Sequence, residues 1–341
     1  PIVGLGLLLD SHQIPVGMKM FPGNESEKPV LRDVIDLLKS QNSINGKTIH
    51  VADKGLNCAK NIVHARKNGD GYLFSKSVKS LPETEKTWVL LDDGFVDVKD
   101  KRGKVLYRYK SCIDEFPYKV EHEGKIYTVK LHEKRLLTYS PSLAAKKRYE
   151  INRMIEKAKA LTASQAKRTE YAEAGKYVCF TDGNGNKASV SMNQDAIDKD
   201  LRFAGYNLLV TSEIEMKDSD IYDVYHNLWR IEESFKIMKS DLDARPVFLQ
   251  KEETIKGHFL ICYLTVLLER IFQFKILENK YATTEIFQFI KDFKVTRGES
   301  KYINTTKSSD FIHELALRSK LPLTNYFLSE TQIKSILKYK I

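Results

Sequence analysis

The hydrophobic pattern of this chain changes character twice, and that restricts the folds open to it. Residues 2–9, Ile-Val-Gly-Leu-Gly-Leu-Leu-Leu, are a short uncharged apolar run that reads as a buried strand. Asp10-Ser11-His12-Gln13 is a turn, and Ile14 to Phe21 reads as a second strand closing a hairpin. Pro22-Gly23-Asn24 ends the sheet, and Asn24 with Glu27 resembles a capping pair. In the helix that follows, Val30, Leu31, Val34, Leu37 and Leu38 keep helical spacing. Lys47 to Ala52 is a strand ending in Asp53-Lys54-Gly55; residues 57–68 are helical, with Gly69 as the stop, and Gly71 to Ser75 is another strand. This order predicts an α/β layer with a mixed sheet over residues 1–75.

Residues 76–200 read differently. Trp88 to Leu91, Asp93-Gly94 and Phe95 to Val98 make a hairpin signal. Val105 to Cys112 continues it, as does Ile126 to Leu131 after the turn Glu123-Gly124. Ser142 to Ala172 is helical and basic, with Lys146, Lys147, Arg148, Arg153, Lys157, Lys159, Lys167 and Arg168. Tyr177 to Thr181 and Lys187 to Met192 are strand-like around Asp182-Gly183-Asn184-Gly185. The stretch therefore reads as a β-rich insertion with one long basic helix. The α/β pattern returns over 201–280: Tyr206 to Thr211 is a strand, and Asp218 or Ser219 caps a helix. Pro246 follows that helix, and Thr254 to Leu277 is a second, very apolar one. Residues 281–341 read as a basic helical region.

The helix after Asp218 carries the most pointed constellation. Tyr225, Glu232 and Lys239 are spaced by seven, which sets them on one helix face together with Leu228, Trp229 and Phe235. A carboxylate between a phenol and a lysine on a half-apolar face calls for a reason. The bland alternative is a solvated Glu232-Glu233 face pairing with Lys236. Asp53 is a second candidate, because ligands in open α/β sheets bind beyond the carboxyl ends of strands and a carboxylate there can hold a divalent metal. Its bland reading is a turn or cap aspartate. The formal charge of +10 over 341 residues favours a polyanionic partner, nucleic acid first. The four cysteines, Cys58, Cys112, Cys179 and Cys262, have no CxxC spacing, so reduced thiols of a cytosolic protein are expected rather than zinc. The longest apolar run, Phe259 to Leu268, is too short for a bilayer, so no membrane association is expected.

Together these residues resemble the DDE transposases of bacterial insertion sequences, in the superfamily with a Tyr-x2-Arg-x3-Glu-x6-Lys signature. Here it reads Tyr225, Leu228, Glu232, Lys239, around Trp229-Arg230-Ile231-Glu232-Glu233. Phe21-Pro22-Gly23-Asn24, Val51-Ala52-Asp53-Lys54-Gly55-Leu56 and Leu209-Val210-Thr211-Ser212-Glu213 match in the family's order, and the likeness runs from residue 1 to roughly residue 275. The resemblance implies an RNase H-like mixed sheet flanked by helices, with a β-rich insertion and a helical C-terminal part. It implies metal-dependent DNA cleavage and strand transfer with two Mg2+ or Mn2+ ions, double-stranded DNA as partner, a homodimer in the synaptic complex, and a cytoplasmic, nucleoid-associated protein.

The resemblance also implies three metal-binding carboxylates, of which Asp53 would by position be the second and Glu232 the third. On the same resemblance Tyr225 and Lys239 would hold DNA phosphates, and the helix of Lys146, Lys147 and Arg148 would add sequence-independent backbone contacts. The first aspartate belongs on a strand before the opening hairpin, and Asp10, in a turn, does not replace it. The expectation is an N-terminally truncated copy that does not catalyse efficiently. Leu228 stands where the signature has arginine; Arg230, two residues on, points about 200° away, which leaves Lys236 or Arg245 as candidates beside Arg230 for the DNA contact. The alternatives are a catalytically inactive DNA-binding remnant and an RNase H-like nuclease.

Overall fold

A computed structural model describes residues 3–41, 46–161, 172–181 and 189–339. The chain forms two compact units, Pro1–Glu25 with Trp229–Ile341, and Ser26–Leu228. It opens with strands β1 (Val3–Leu9) and β2 (Pro15–Pro22), an antiparallel hairpin as the pattern predicts. The Asp10 carboxylate closes the turn by accepting the amides of His12 and Ile14, both at 2.9 Å. The hairpin is a two-stranded sheet of its own and not part of the larger sheet, which differs from the single layer expected over residues 1–75.

The second unit begins with α1 (Glu27–Gln41). Its start at Glu27 leaves Asn24 three residues outside the helix, so the two do not form the capping pair expected of them. Strand β3 (Ile49–Ala52), helix α2 (Ala59–Lys67) and strand β4 (Gly71–Lys76) form a unit in which β3 and β4 run parallel. Lys39 of α1 reaches the buried Asp70 carboxylate at 2.7 Å, just before β4.

The next element corrects the sequence reading: Glu83–Leu90 is helix α3, where a strand was expected over 88–91. Pro82 precedes it and Glu83 and Glu85 fill its first turn, which favours a helix start. The apolar run that suggested a strand was too short to tell the two apart. The hairpin partner of β5 (Val96–Lys99) is instead β6 (Val105–His122). Strand β6 pairs along its length with β7 (Lys125–Tyr139) through Glu123-Gly124, whose φ values of 49° and 74° are those of a tight hairpin turn. Both strands are longer than their apolar cores suggested.

Helix α4 (Pro141–Lys159), α5 (Ala172–Gly175), strands β8 (Val178–Thr181) and β9 (Ser189–Met192), and helix α6 (Gln194–Arg202) follow. Ile151, Ala158, Tyr177 and Ile197 give them a small core. The expected turn Asp182-Gly183-Asn184-Gly185 lies outside the described residues, as do Lys167 and Arg168. Strand β10 (Tyr206–Thr211) enters the sheet antiparallel to both β4 and β7, giving the order β3-β4-β10-β7-β6-β5. Leu208 and Val210 pack on the side of Ile62 and Val89, while Leu209 packs with Ile221 on the other. Burial on both faces is why β10 is a continuous apolar run. Inside the sheet, Glu133 accepts hydrogen bonds from the Tyr72 hydroxyl at 2.7 Å, the Tyr118 hydroxyl at 2.8 Å and Arg135 Nε at 2.8 Å.

Helix α7 (Asp218–His226) ends this unit. Its N-cap is Lys217, without a side-chain cap, so neither Asp218 nor Ser219 does the capping expected of them. The other unit resumes with α8 (Trp229–Lys236), a π turn (Ile237–Asp241), α9 (Glu252–Ile271) and a second π turn (Phe272–Ile276). Val3, Leu5, Met18 and Met20 of the hairpin pack on Ile237, Met238, Phe259 and Val266. The C-terminal region holds α10 (Thr283–Asp292), β11 (Val295–Arg297), β12 (Tyr302–Asn304), α11 (Asp310–Ser319), β13 (Phe327–Leu328) and α12 (Glu330–Leu337). Its three strands form an antiparallel sheet absent from the helical expectation. Overall the chain is a mixed α/β protein, in agreement with the RNase H-like class read from the sequence. Among the described residues, no helix is long and apolar enough to cross a membrane.

Candidate active site

Asp53 lies one residue past the end of β3, exposed to solvent. Its Oδ1 accepts the Gly55 amide at 2.9 Å, which fixes the turn, and Leu56 then drops into the core beside Ala52 and Ile62. The other oxygen, Oδ2, has no hydrogen bond among the described residues.

Tyr225 belongs to the same unit and is half-buried against Leu73, Leu136, Leu209 and Ile221. Burial raises its phenol above the ordinary value; the Ser75 and Asn207 side chains beside it work the other way, and the charge of Asp53 adds to the rise. The phenol is therefore a hydrogen-bond donor at neutral pH, close enough to Asp53 to feel its charge. The Thr211-Ser212-Glu213 motif fastens the neighbouring strands. Thr211 Oγ1 donates to the Tyr72 carbonyl at 2.7 Å, the Tyr72 amide donates to Ser212 Oγ at 3.0 Å, and Glu213 meets Lys47 at 2.6 Å. A Cβ at Gly71 would run into the Glu213 carboxylate, so any larger residue there requires the Glu213 side chain to move aside.

Tyr225, Glu232 and Lys239 do not share one helix, contrary to the spacing argument. The Asn227 amide still bonds the Asp223 carbonyl, but the Leu228 amide bonds the Tyr225 carbonyl at 3.1 Å, an i to i−3 closure that ends α7. Lys239 lies in the π turn, where one extra residue per hydrogen-bonded loop breaks the face relation again. Tyr225 is thus in one unit, and Arg230, Glu232, Lys236 and Lys239 are in the other.

On α8 the two adjacent glutamates have opposite surroundings. Glu233 is pinned: its Oε2 lies 2.9 Å from Arg270 Nη2 and 3.2 Å from Arg230 Nη1. Arg270 is fully buried on α9, donating from Nη1 to Gln273 Oε1 at 2.6 Å and from Nε to Ser234 Oγ at 3.4 Å. Glu232 is exposed and has neither an ion pair nor a hydrogen bond among the described residues. Arg230 stacks on the Trp229 ring, 3.8 Å from its centroid, while Lys236, Lys239 and Arg245 are exposed. Arg270 was missed from the sequence, although Glu269-Arg270 interrupting a strongly apolar helix was the signal for it. Beside Arg270, Glu269 is buried with no hydrogen bond to either oxygen, and burial first, then the Glu233 and Asp241 charges, hold its carboxyl above the usual range against the pull of Arg270 and Thr283.

A family model described as "Transposase DDE domain" matches residues 4–268. The chain belongs to the transposase DDE domain family. Among curated proteins, none matches the chain. Membership makes this a DNA transposase domain of a family that acts by phosphoryl transfer on DNA and generally uses divalent metal ions. The described residues contain no cluster of three or more His, Cys, Asp or Glu side chains able to hold a metal. The two carboxylates nonetheless have the donor chemistry a hard cation takes: oxygen ligands, exposed and outside ion pairs.

Proposed function

We propose that the chain is the catalytic part of an insertion-sequence transposase that cleaves and joins DNA strands through a metal-dependent DDE reaction, with Asp53 and Glu232 as metal-binding carboxylates. The observation that carries this reading is the contrast on α8. Arg270 and Arg230 pair with Glu233, whereas Glu232, one residue earlier, is exposed and unpaired among the described residues. An exposed carboxylate left unpaired next in sequence to one that two guanidinium groups hold is consistent with a ligand supplied from outside the chain.

Two Mg2+ or Mn2+ ions bound there would supply Lewis-acid activation of water or of a DNA 3′-hydroxyl and stabilise the leaving oxygen. The chain's own residues do the rest. Asp53 presents Oδ2 because the Gly55 amide occupies Oδ1. Tyr225 donates from a protonated phenol to a phosphate oxygen. Lys236 and Lys239 offset phosphate charge from exposed positions, with Arg245 further along the chain. Arg230, occupied by Trp229 and Glu233, enters the proposal as support for α8 more than as a DNA contact. A homodimer is the assembly in which two transposon ends would be processed together.

The test is a pair of assays on Glu232→Ala and Asp53→Ala, each placed in the full-length enzyme that carries the first aspartate. Each is expected to abolish Mg2+-dependent nicking of DNA carrying the element's ends and to weaken Mn2+ binding in titration calorimetry, while duplex binding persists. Parallel loss of DNA binding and nicking would mean a structural role and refute the assignment.

A further inference from the structure

Helix α4 carries eight basic and acidic side chains in nineteen residues, and the structure sorts most of them. Ala144, Ile151 and Ala158, spaced by seven, are its buried stripe. At 100° per residue, Lys146, Tyr149, Arg153 and Lys157 fall within about 80° of one another, centred opposite that stripe. All four are exposed, Tyr149 by 70%. The lysines on the flanks are already neutralised: Lys147 pairs with Glu150 at 2.7 Å and Lys159 with Glu156 at 2.8 Å. Lys146, Arg153 and Lys157 have no ion pair among the described residues. Two acids that would otherwise oppose the row, Glu150 and Glu156, are thereby drawn to its sides.

We infer that this row, Lys146-Tyr149-Arg153-Lys157, is a second DNA-binding surface that tracks the phosphate backbone of duplex DNA without reading sequence. The inference rests on the transposase reading above and moves the contact from the run Lys146-Lys147-Arg148, which the sequence alone favoured, to a row that keeps only Lys146 of it. The row has the chemistry that a phosphate strand recognises. Three cations stand along one line, and a phenol between them can donate to a phosphate oxygen. From Lys146 to Lys157 the helix rises about 16 Å, the axial length of roughly five phosphates on one strand. Exposed cations set in one line along a helix match phosphates spaced along a strand, and contacts of that kind position a protein on the duplex without carrying sequence information.

The experiment compares duplex binding over a range of salt concentrations for the wild-type chain, the triple variant Lys146→Gln/Arg153→Gln/Lys157→Gln, and the flank control Lys147→Gln/Lys159→Gln. Each phosphate contact contributes about 0.9 to the slope of log K against log salt. The triple variant is expected to lose about 2–3 from that slope and at least tenfold in affinity near 0.1 M salt. The flank control is expected to keep both within error. A charge-retaining variant, Lys146→Arg/Arg153→Lys/Lys157→Arg, restores the wild-type slope. Thermal unfolding of all the variants should match the wild type, since the substituted residues are exposed and outside the buried stripe of α4. An unchanged slope in the triple variant, or an equal loss in the flank control, overturns the inference while metal-dependent nicking still upholds the transposase reading. A wild-type chain that binds no duplex at all overturns both.

Discussion

The ion pair between Glu233 and Arg270 makes a quantitative claim about how α8 is held. Arg270 is fully buried and Glu233 is 26% exposed, with the charged atoms 2.9 Å apart. Removing one partner of a buried pair costs about 3–5 kcal/mol, because the other charge is stranded. Replacing Arg270 by Met keeps volume but strands Glu233, which retains Arg230 at 3.2 Å and some water, and leaves Glu269 without its cation. The expected loss is therefore at the low end, about 3 kcal/mol. Glu233→Gln leaves Arg270 its bonds to Gln273 and Ser234 and a contact of 3.7 Å to Glu269, for a loss of about 2 kcal/mol. Because both variants remove the same interaction, the double variant should fall short of the sum by at least about 1 kcal/mol. Urea unfolding is followed by fluorescence in a Trp88→Phe background, where Trp229 alone reports on the unit that contains α8. With a slope of about 2 kcal/mol/M, Arg270→Met should move the midpoint down by about 1.5 M. Additivity within about 0.3 kcal/mol, or a more stable Arg270→Met protein, would refute the argument.

Other consequences follow in the same spirit. Glu133→Leu should cost about 2–4 kcal/mol in the unfolding of residues 26–228, since it leaves two buried phenols without their acceptor and Arg135 with Glu85 alone, at 2.6 Å; a loss under 1 kcal/mol in urea titration would mean the network is dispensable. Glu269 titrates above its usual 4.5, so from pH 4.5 up to that raised value the folded chain holds a proton the unfolded chain has released. The contribution of this group to stability therefore falls as pH rises through that window, and Glu269→Gln should gain on the wild type over the same range; a gain that shrinks with pH contradicts it. Gly71→Ala should destabilise by about 1–3 kcal/mol through collision with Glu213, and pairing it with Glu213→Ala should recover most of that in a thermal melt. Ser309→Ala removes the oxygen that caps the Ile312 amide of α11 and should cost about 1 kcal/mol in the same assay.

What the sequence disclosed depended on how local each cause was. The hairpin β1–β2, strand β10 and the turn after β3 announce themselves through apolar runs bounded by turn residues. The four residues Trp88 to Leu91 were ambiguous by period, and only the acidic first turn behind Pro82 decides for a helix. The break after His226 has no proline or glycine to mark it, and the apolar spacing runs straight across Asn227-Leu228, so a pattern argument could not see it. The short strands β11 to β13 are below the length at which alternation is readable. For the site, Asp53 and Glu232 could be named from position and resemblance. What separates Glu232 from Glu233 is Arg270, thirty-seven residues beyond Glu233 and visible only once α9 is folded.

The hairpin at the start of the chain has its packing partners at the other end. Val3, Leu5, Met18 and Met20 wait for Ile237, Met238, Phe259 and Val266, with all of Ser26–Leu228 made in between. At ribosomal speeds of about 5–20 residues per second, on the order of 200 intervening residues take about 10–40 s to appear. During that interval the hairpin is an apolar ribbon without its cover, while the unit of residues 26–228 is free to complete itself first. Synthesis thus imposes an order of assembly in which residues 26–228 can complete themselves before the hairpin made ahead of them is covered.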